Sequence, residues 1–88
     1  MRSDDLTLLL RRQPFQPFRI HLSNGQTYDV RHPEMAMVGR TTVVVGVPAP
    51  DLPPSVFETL HYVTLLHINN IQPLPQSAPS GKNGEGQA

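Results

Sequence analysis

The chain of 88 residues contains no cysteine and no tryptophan, and its only lysine is Lys82. Without cysteine, neither a disulfide bond nor a thiolate zinc site can form. The apolar run Leu8–Leu10 is too short for a signal peptide, and no segment is long enough to cross a membrane. We therefore expect a cytoplasmic protein that makes no membrane contact.

The chain also lacks an excess of either positive or negative charge. The formal net charge is zero, although all six arginines lie in the first forty residues, against four acidic residues there. A protein that coats nucleic acid carries a strong basic excess. The composition excludes that class and leaves a local arginine patch open.

The last residues lack any large apolar side chain. Residues 75–88 are small, polar or proline, so they cannot offset the entropy of ordering, and we predict a disordered tail. Residues 1–74 then form a single domain. A domain this small buries only about 60% of its unfolded surface. Self-association is an expected route to stability, and we predict a homo-oligomer.

Residues 3–13 predict a short helix. Ser3 can cap its first amides, and Pro14 ends it. Its leucines at positions 6, 9 and 10 form one apolar stripe. Because so short a helix is not stable alone in water, we expect it to close an open end of the domain. The alternative is a helix that binds a partner.

Residues 18–30 predict a β-hairpin, with alternating apolar and polar residues on either side of Asn24-Gly25. A three-residue loop at 23–25 keeps apolar side chains opposite one another and pairs opposite charges. It implies a G1 bulge with positive φ at Gly25. The predicted pairs are Phe18 with Val30, Ile20 with Tyr28, and Arg19 with Asp29.

The remaining sequence predicts further short strands. His32-Pro33 marks a bend or an edge, and residues 35–38 and 41–47 flank a type II′ turn at Gly39-Arg40. Gly46 indicates a bulge or a close backbone approach. Residues 48–54 form a proline-rich loop, and 55–60 are either a helical turn or a strand start. A strand at 61–67, a turn at Asn69-Asn70 and an edge strand follow.

A helix and then five short strands predict a mainly β fold, a small antiparallel barrel. Two segments within it have a distinctive pattern, residues 20–25 (IHLSNG) and residues 66–71 (LHINNI). In the order of its elements and in these two segments, which are similar to the family's first and second motifs, the chain resembles the Sm-like family, which includes the bacterial host-factor RNA chaperones. We therefore predict a barrel of SH3-like or Sm-like type. The resemblance implies a ring that binds single-stranded RNA.

Three departures limit what the resemblance carries over. Val30 stands where the family has a bending glycine, and residues 31–37 contain no counterpart of the family's base-holding turn. Ile68 stands where the second motif has a glycine. Of the family's base-binding positions, only the turn residues His67 and Asn69 have counterparts here.

Arg19, His21, Asp29 and Arg31 share the outward face of the predicted hairpin. Arginine forks suit phosphate, so one interpretation is an anion patch. The other is a solvated strand face with an Arg19–Asp29 ion pair.

No residue pattern indicates catalysis or a metal. His61 and His67 would lie about 20 Å apart on one strand, so they cannot share an ion. The serines fall in caps, turns, loops or the tail, away from any base. We expect no enzyme activity, no cofactor, no metal and no small-molecule substrate.

Two functions remain. The first is a non-catalytic β module that acts by self-assembly or protein interaction. The second is an Sm-like ring that binds single-stranded RNA. We favour the first, because site residues rather than fold decide function. The candidate RNA- or anion-binding residues of the second are Arg19, His21, Arg31, His67 and Asn69.

Overall fold

A computed structural model describes residues 1–53 and 56–75. They form a mainly β chain with an N-terminal helix, and single 3-10 turns at Pro33–Met35 and Leu65–His67. The helix and strands are α1 Ser3–Arg11, β1 Phe18–Leu22, β2 Thr27–Val30, β3 Ala36–Val38, β4 Thr42–Pro48, β5 Phe57–Thr64 and β6 Ile68–Pro73.

Six strands replace the five that the sequence predicts. They form two antiparallel sheets of three strands, in the orders β2–β1–β6 and β3–β4–β5. Over the described residues the sheets do not close into a barrel, so the five-stranded barrel is unconfirmed. The turn at Pro33–Met35 separates β2 from β3, and the predicted tail beyond Pro75 lies outside the described residues.

The first hairpin confirms the predicted register. Phe18 pairs with Val30, Arg19 with Asp29 and Ile20 with Tyr28. Gly25 has φ 91°, and its N–H donates to the Leu22 carbonyl at 3.0 Å. The Leu22 N–H donates to the Gln26 carbonyl at 2.9 Å, which closes the three-residue loop.

The second hairpin differs from its prediction. The Gly39 N–H donates to the Thr42 carbonyl at 2.6 Å, so the central residues are Arg40 and Thr41. The predicted type II′ turn at Gly39-Arg40 is wrong, and Gly39 has no positive φ. Ala36 pairs with Val45, whereas a two-residue turn at Gly39-Arg40 would pair it with Val43. Both registers keep Ala36 on the core face, so apolar alternation could not distinguish them.

The segment before β6 also departs from its prediction. β5 ends at Thr64, a 3-10 turn occupies Leu65–His67, and β6 follows at once, so the predicted turn at Asn69-Asn70 is wrong. Side chains three apart align in a 3-10 turn. That geometry lets Leu65 and Ile68 both enter the core, at 4% and 8% exposure, while Leu66 is 87% exposed.

The helix docks on the core as predicted, with different ends. Arg2 occupies its N-cap position without a side-chain hydrogen bond, so the predicted Ser3 cap is wrong, and α1 stops at Arg11. Leu6 is fully buried, and Leu9 and Leu10 pack partly buried against the core. Burial of this stripe is what stabilises so short a helix.

The core lies between the two sheets. Phe18, Ile20 and Val30 enter it from one sheet, and Val43, Val45 and Val63 from the other. Gly46 confirms the predicted close approach, because a Cβ there would lie 2.6 Å from Cγ of Phe57. The pairing of β4 with β5 shifts beside it, between Val47 and Pro48.

Candidate functional site

Three of the predicted site residues lie on β1 or just after β2, around Asp29. Arg19 donates from Nε to Oδ1 of Asp29 at 2.7 Å and from Nη2 to Oδ2 at 3.2 Å. Nη2 of Arg31 lies 3.5 Å from the same carboxylate. Nε2 of His21 lies 2.8 Å from Oε1 of Gln72. Arg19, Asp29 and Arg31 therefore form a charge-paired cluster on the outward face of the first hairpin, and anion binding there stays a prediction.

Asp29 is the electrostatic centre of this cluster. The hydrogen bond from Arg19 lowers the pKa of Asp29 more than burial raises it, and the positive charges of Arg19 and Arg31 lower it further. The carboxylate is ionised at neutral pH. A neighbouring cavity of about 390 Å³ is lined by Arg19, Asp29 and Arg31 among others. An anion entering it would compete with Asp29 for both guanidinium groups.

His67 and Asn69 do not join the arginine cluster. His67 ends the 3-10 turn, and its side chain lines a different cavity of about 380 Å³ with Asn24 and Tyr62. Asn69 lies exposed on β6, and it is Asn70 that pairs with His21. The five predicted residues are therefore distributed over separate parts of the surface.

An apolar row crosses the outer face of the β3–β4–β5 sheet. Met37 pairs with Val44, and Val44 pairs with Tyr62. Met37 is 70% exposed, Tyr62 74%, and Leu60 on the same face 54%. Because Val43 and its neighbours on the other face fill the core, strand alternation sends these side chains outward. We call Met37, Val44, Tyr62 and Leu60 the outer apolar row.

The backbone of β5 has a free edge. The Leu65 N–H donates to the Thr41 carbonyl at 2.9 Å, which sets the alternation of hydrogen bonding with β4. By that alternation, Leu60, Tyr62 and Thr64 direct their N–H and C=O groups away from β4. No other strand of the described part of the chain pairs with this side.

An open space lies along this edge. Three consecutive β5 residues, 62–64, line the cavity of about 380 Å³ together with the first hairpin's tip. Side chains of consecutive residues point to opposite faces of a strand, so a cavity that is lined by all three residues lies along the edge of the strand. The Tyr28 ring contacts the His61 ring beside it, with centroids 4.9 Å apart.

The other sheet edges are less suited to pairing. β2 and β3 have only four and three residues. β6 is longer, but Asn69, Asn70 and Gln72 are exposed on it and Pro73 ends it. Polar side chains, proline and a short length all disfavour the pairing of an edge strand with another chain. β5 has eight residues, one charged side chain (Glu58) and no proline.

The sequence interpretation missed this edge. Residues 55–60 were compatible with a helical turn or a strand, which hid the start of β5 at Phe57. The available signal was the alternation of Leu60 and Tyr62 with His61 and Val63. That strand's position at an edge depends on the distant pairing of β1 with β6, which no local pattern reveals.

Over residues 1–53 and 56–75, no cluster of three or more histidine or acidic side chains could hold a metal ion. No helix in the same residues is long and apolar enough to cross a membrane. The comparison with known proteins found no family model, no curated protein and no solved structure that matches this chain. The resemblance to the Sm-like family therefore stays a prediction.

Proposed function

We propose that this protein is a non-catalytic module that works by associating with further copies of itself through the free edge of β5. The observation that carries the proposal is an eight-residue edge strand that exposes Leu60 and Tyr62. A strand added to such an edge gains main-chain hydrogen bonds, and its side chains give specificity. The proposal treats the two sheets as halves of a small open barrel of SH3-like or Sm-like type.

The expected affinity is moderate. Burying an exposed leucine-sized side chain contributes about 1.5–3 kcal/mol, and two such side chains of each copy, Leu60 and Tyr62, remain more than half exposed. Association costs about 4–15 kcal/mol in lost freedom. The largest surplus that these ranges allow is about 8 kcal/mol, which corresponds to a Kd of about 1 µM.

An Sm-like ring that binds single-stranded RNA is the second candidate. The order of helix and strands supports it, as does the position of His67 beside Tyr28 and Tyr62 in one cavity, because tyrosine faces can stack on bases. The ion pairs of Arg19 and Arg31 with Asp29 weigh against it. We place this candidate second for that reason.

Light scattering tests the proposal. The native mass is measured between about 0.1 and 100 µM protein, around the expected Kd, with absorbance at 260 and 280 nm. We expect a mass that rises with concentration and survives high salt, since RNA binding would weaken as salt increases. A monomer at every concentration would refute the proposal, and salt-sensitive excess absorbance at 260 nm would favour the second candidate.

A matched pair of variants locates the contact. Tyr62→Thr and Met37→Thr each remove one side chain of the outer apolar row, with 74% and 70% exposure, but only Tyr62 lies on β5. Tyr62→Thr should weaken association about tenfold or more, and Met37→Thr much less. Equal losses would place the contact on the sheet face instead of the edge.

A further inference from the structure

We propose that two copies pair β5 with β5 in antiparallel fashion about a two-fold axis at His61. The two β3–β4–β5 sheets would then become one continuous six-stranded sheet. This inference rests on the proposed self-association and deepens it, because it names the symmetry and the register of the contact.

The faces of the sheet restrict the register. Side chains alternate along a strand, and residues directly opposite in an antiparallel pair share a face. A two-fold axis must therefore pass beside a residue and not between two residues. An axis between two residues would place Leu60, whose side chain is on the outer face, directly opposite a partner residue whose side chain is on the core face. The registers near the middle of β5 have their axis at Leu60, His61 or Tyr62.

Only one of these registers gives both exposed apolar side chains, Leu60 and Tyr62, an apolar residue of the partner opposite them. An axis at His61 sets Leu60 opposite the partner's Tyr62, and by symmetry Tyr62 opposite the partner's Leu60. An axis at Leu60 would set Tyr62 against the partner's Glu58, and an axis at Tyr62 would set Leu60 against the partner's Thr64. Apolar cross-strand pairs contribute to sheet stability, so the axis at His61 is favoured.

The backbone is compatible with this register, as it is with an axis at Leu60 or Tyr62. Leu60 and Tyr62 direct their N–H and C=O groups to the free edge, as the Leu65–Thr41 hydrogen bond implies. Opposite each other, they exchange both hydrogen bonds. His61 directs its backbone groups to β4, so the two His61 residues form the close, non-hydrogen-bonded pair at the axis.

Charge is compatible with this arrangement. Glu58 is the charged residue of β5, and like charges directly opposite each other destabilise a sheet. The axis at His61 sends the two Glu58 side chains to opposite ends of the interface, each facing a hydroxyl of the partner's Thr64. Met37, Val44 and Tyr62 of the outer apolar row of one copy are then followed across the interface by the partner's Leu60.

A ring built by pairing β5 with the partner's β6 is the competing arrangement. It would set Leu60 and Tyr62 against a strand whose exposed residues include Asn69, Asn70 and Gln72. That edge also loses a donor at Pro73. Apolar side chains would then meet amides, which makes this pairing weaker than β5 with β5.

Cysteine cross-linking tests the register, because the natural chain has no cysteine. Single variants His61→Cys, Leu60→Cys and Tyr62→Cys are oxidised with glutathione disulfide and resolved on non-reducing gels. In a non-hydrogen-bonded pair the Cα atoms are about 4.5 Å apart, within the range of about 4.4–6.8 Å for a disulfide. His61→Cys should form dimers on the order of tenfold faster than the other two variants.

A second measurement guards against disturbance of the His61–Tyr28 contact. An equimolar mixture of Leu60→Cys and Tyr62→Cys chains, one of them carrying a tag, should give the mixed disulfide in preference to either homodimer. Light scattering of the uncross-linked wild-type chain accompanies both measurements. It reports self-association independently of register.

The outcomes separate the two proposals. A wild-type dimer with the His61 and mixed cross-links supports both. A wild-type dimer that cross-links fastest at Leu60 or Tyr62 keeps self-association and overturns this register. A mass of several subunits without these cross-links overturns the two-fold pairing in favour of a ring. A monomer overturns both proposals.

Discussion

Gly46→Ala tests the packing that positions β5. A Cβ at residue 46 would lie 2.6 Å from Cγ of Phe57 and 2.8 Å from both of its Cδ atoms. Real contacts of a Cβ atom are longer than this, so the ring or the strand must move. Rotation about χ2 leaves Cγ in place, so relief requires a different χ1 rotamer of Phe57 or a shift of the strand.

The expected cost is that of overpacking, about 1–3 kcal/mol of unfolding free energy. For a domain of this size, each kcal/mol lowers Tm by about 4–8 °C, so we expect a decrease of about 5–20 °C. Thermal and urea unfolding followed by circular dichroism measure it. The measurements are made at low protein concentration, where association contributes least.

A double-mutant cycle isolates the contact. Phe57→Ala removes the ring, so Gly46→Ala should cost less in that background than in the wild type, with a coupling of about 0.5–3 kcal/mol. The same cost in both backgrounds would show that the ring does not oppose a Cβ, and the reasoning would fail.

Two further predictions concern the first hairpin. Gly25→Ala should lower the unfolding free energy by about 1–2 kcal/mol, because φ at this position is 91°. A Cβ there would meet no atom within 4 Å, so the cost comes from the backbone conformation and not from a clash. Gly25→Asn should therefore lower the free energy less in urea unfolding, and equal losses for the two variants would refute a purely backbone origin. The folded-state pKa of Asp29 is lowered by Arg19, so its contribution to stability is present above the unfolded value of about 3.9 and is lost as pH falls through the folded pKa. Urea midpoints of the wild type should therefore fall more steeply with acid than those of Asp29→Asn, and parallel profiles would contradict the prediction.

The first hairpin could be predicted because independent constraints agreed. Apolar alternation and the opposite charges of Arg19 and Asp29 both selected one register, and Asn24-Gly25 supplied the turn. The second hairpin lacked this agreement. The observed pairing of Ala36 with Val45 and the pairing with Val43 that a turn at Gly39-Arg40 would impose bury the same faces of both strands. The local sequence pattern therefore could not distinguish them.

The candidate site, like the fold, could be predicted only in part from the sequence. The sequence placed Arg19, His21 and Arg31 on one side of the first hairpin, because strand alternation is local. It did not reveal that Asp29 engages both arginines. It also did not indicate the free edge of β5, which exists because β6 pairs with β1, where Ile71 lies opposite Ile20. Such a pairing spans most of the chain and depends on the assembled core.

The free edge also bears on the stability of the chain. No disulfide stabilises this small domain, since it has no cysteine. If folded copies associate with a Kd of about 1 µM, about a hundred times that concentration leaves roughly one chain in fifteen as free folded monomer, which stabilises the fold by about 1.6 kcal/mol per chain. Tm should therefore rise with protein concentration in the wild type and much less in Tyr62→Thr. A Tm independent of concentration in both chains would mean that the β5 edge contributes nothing to the folded state.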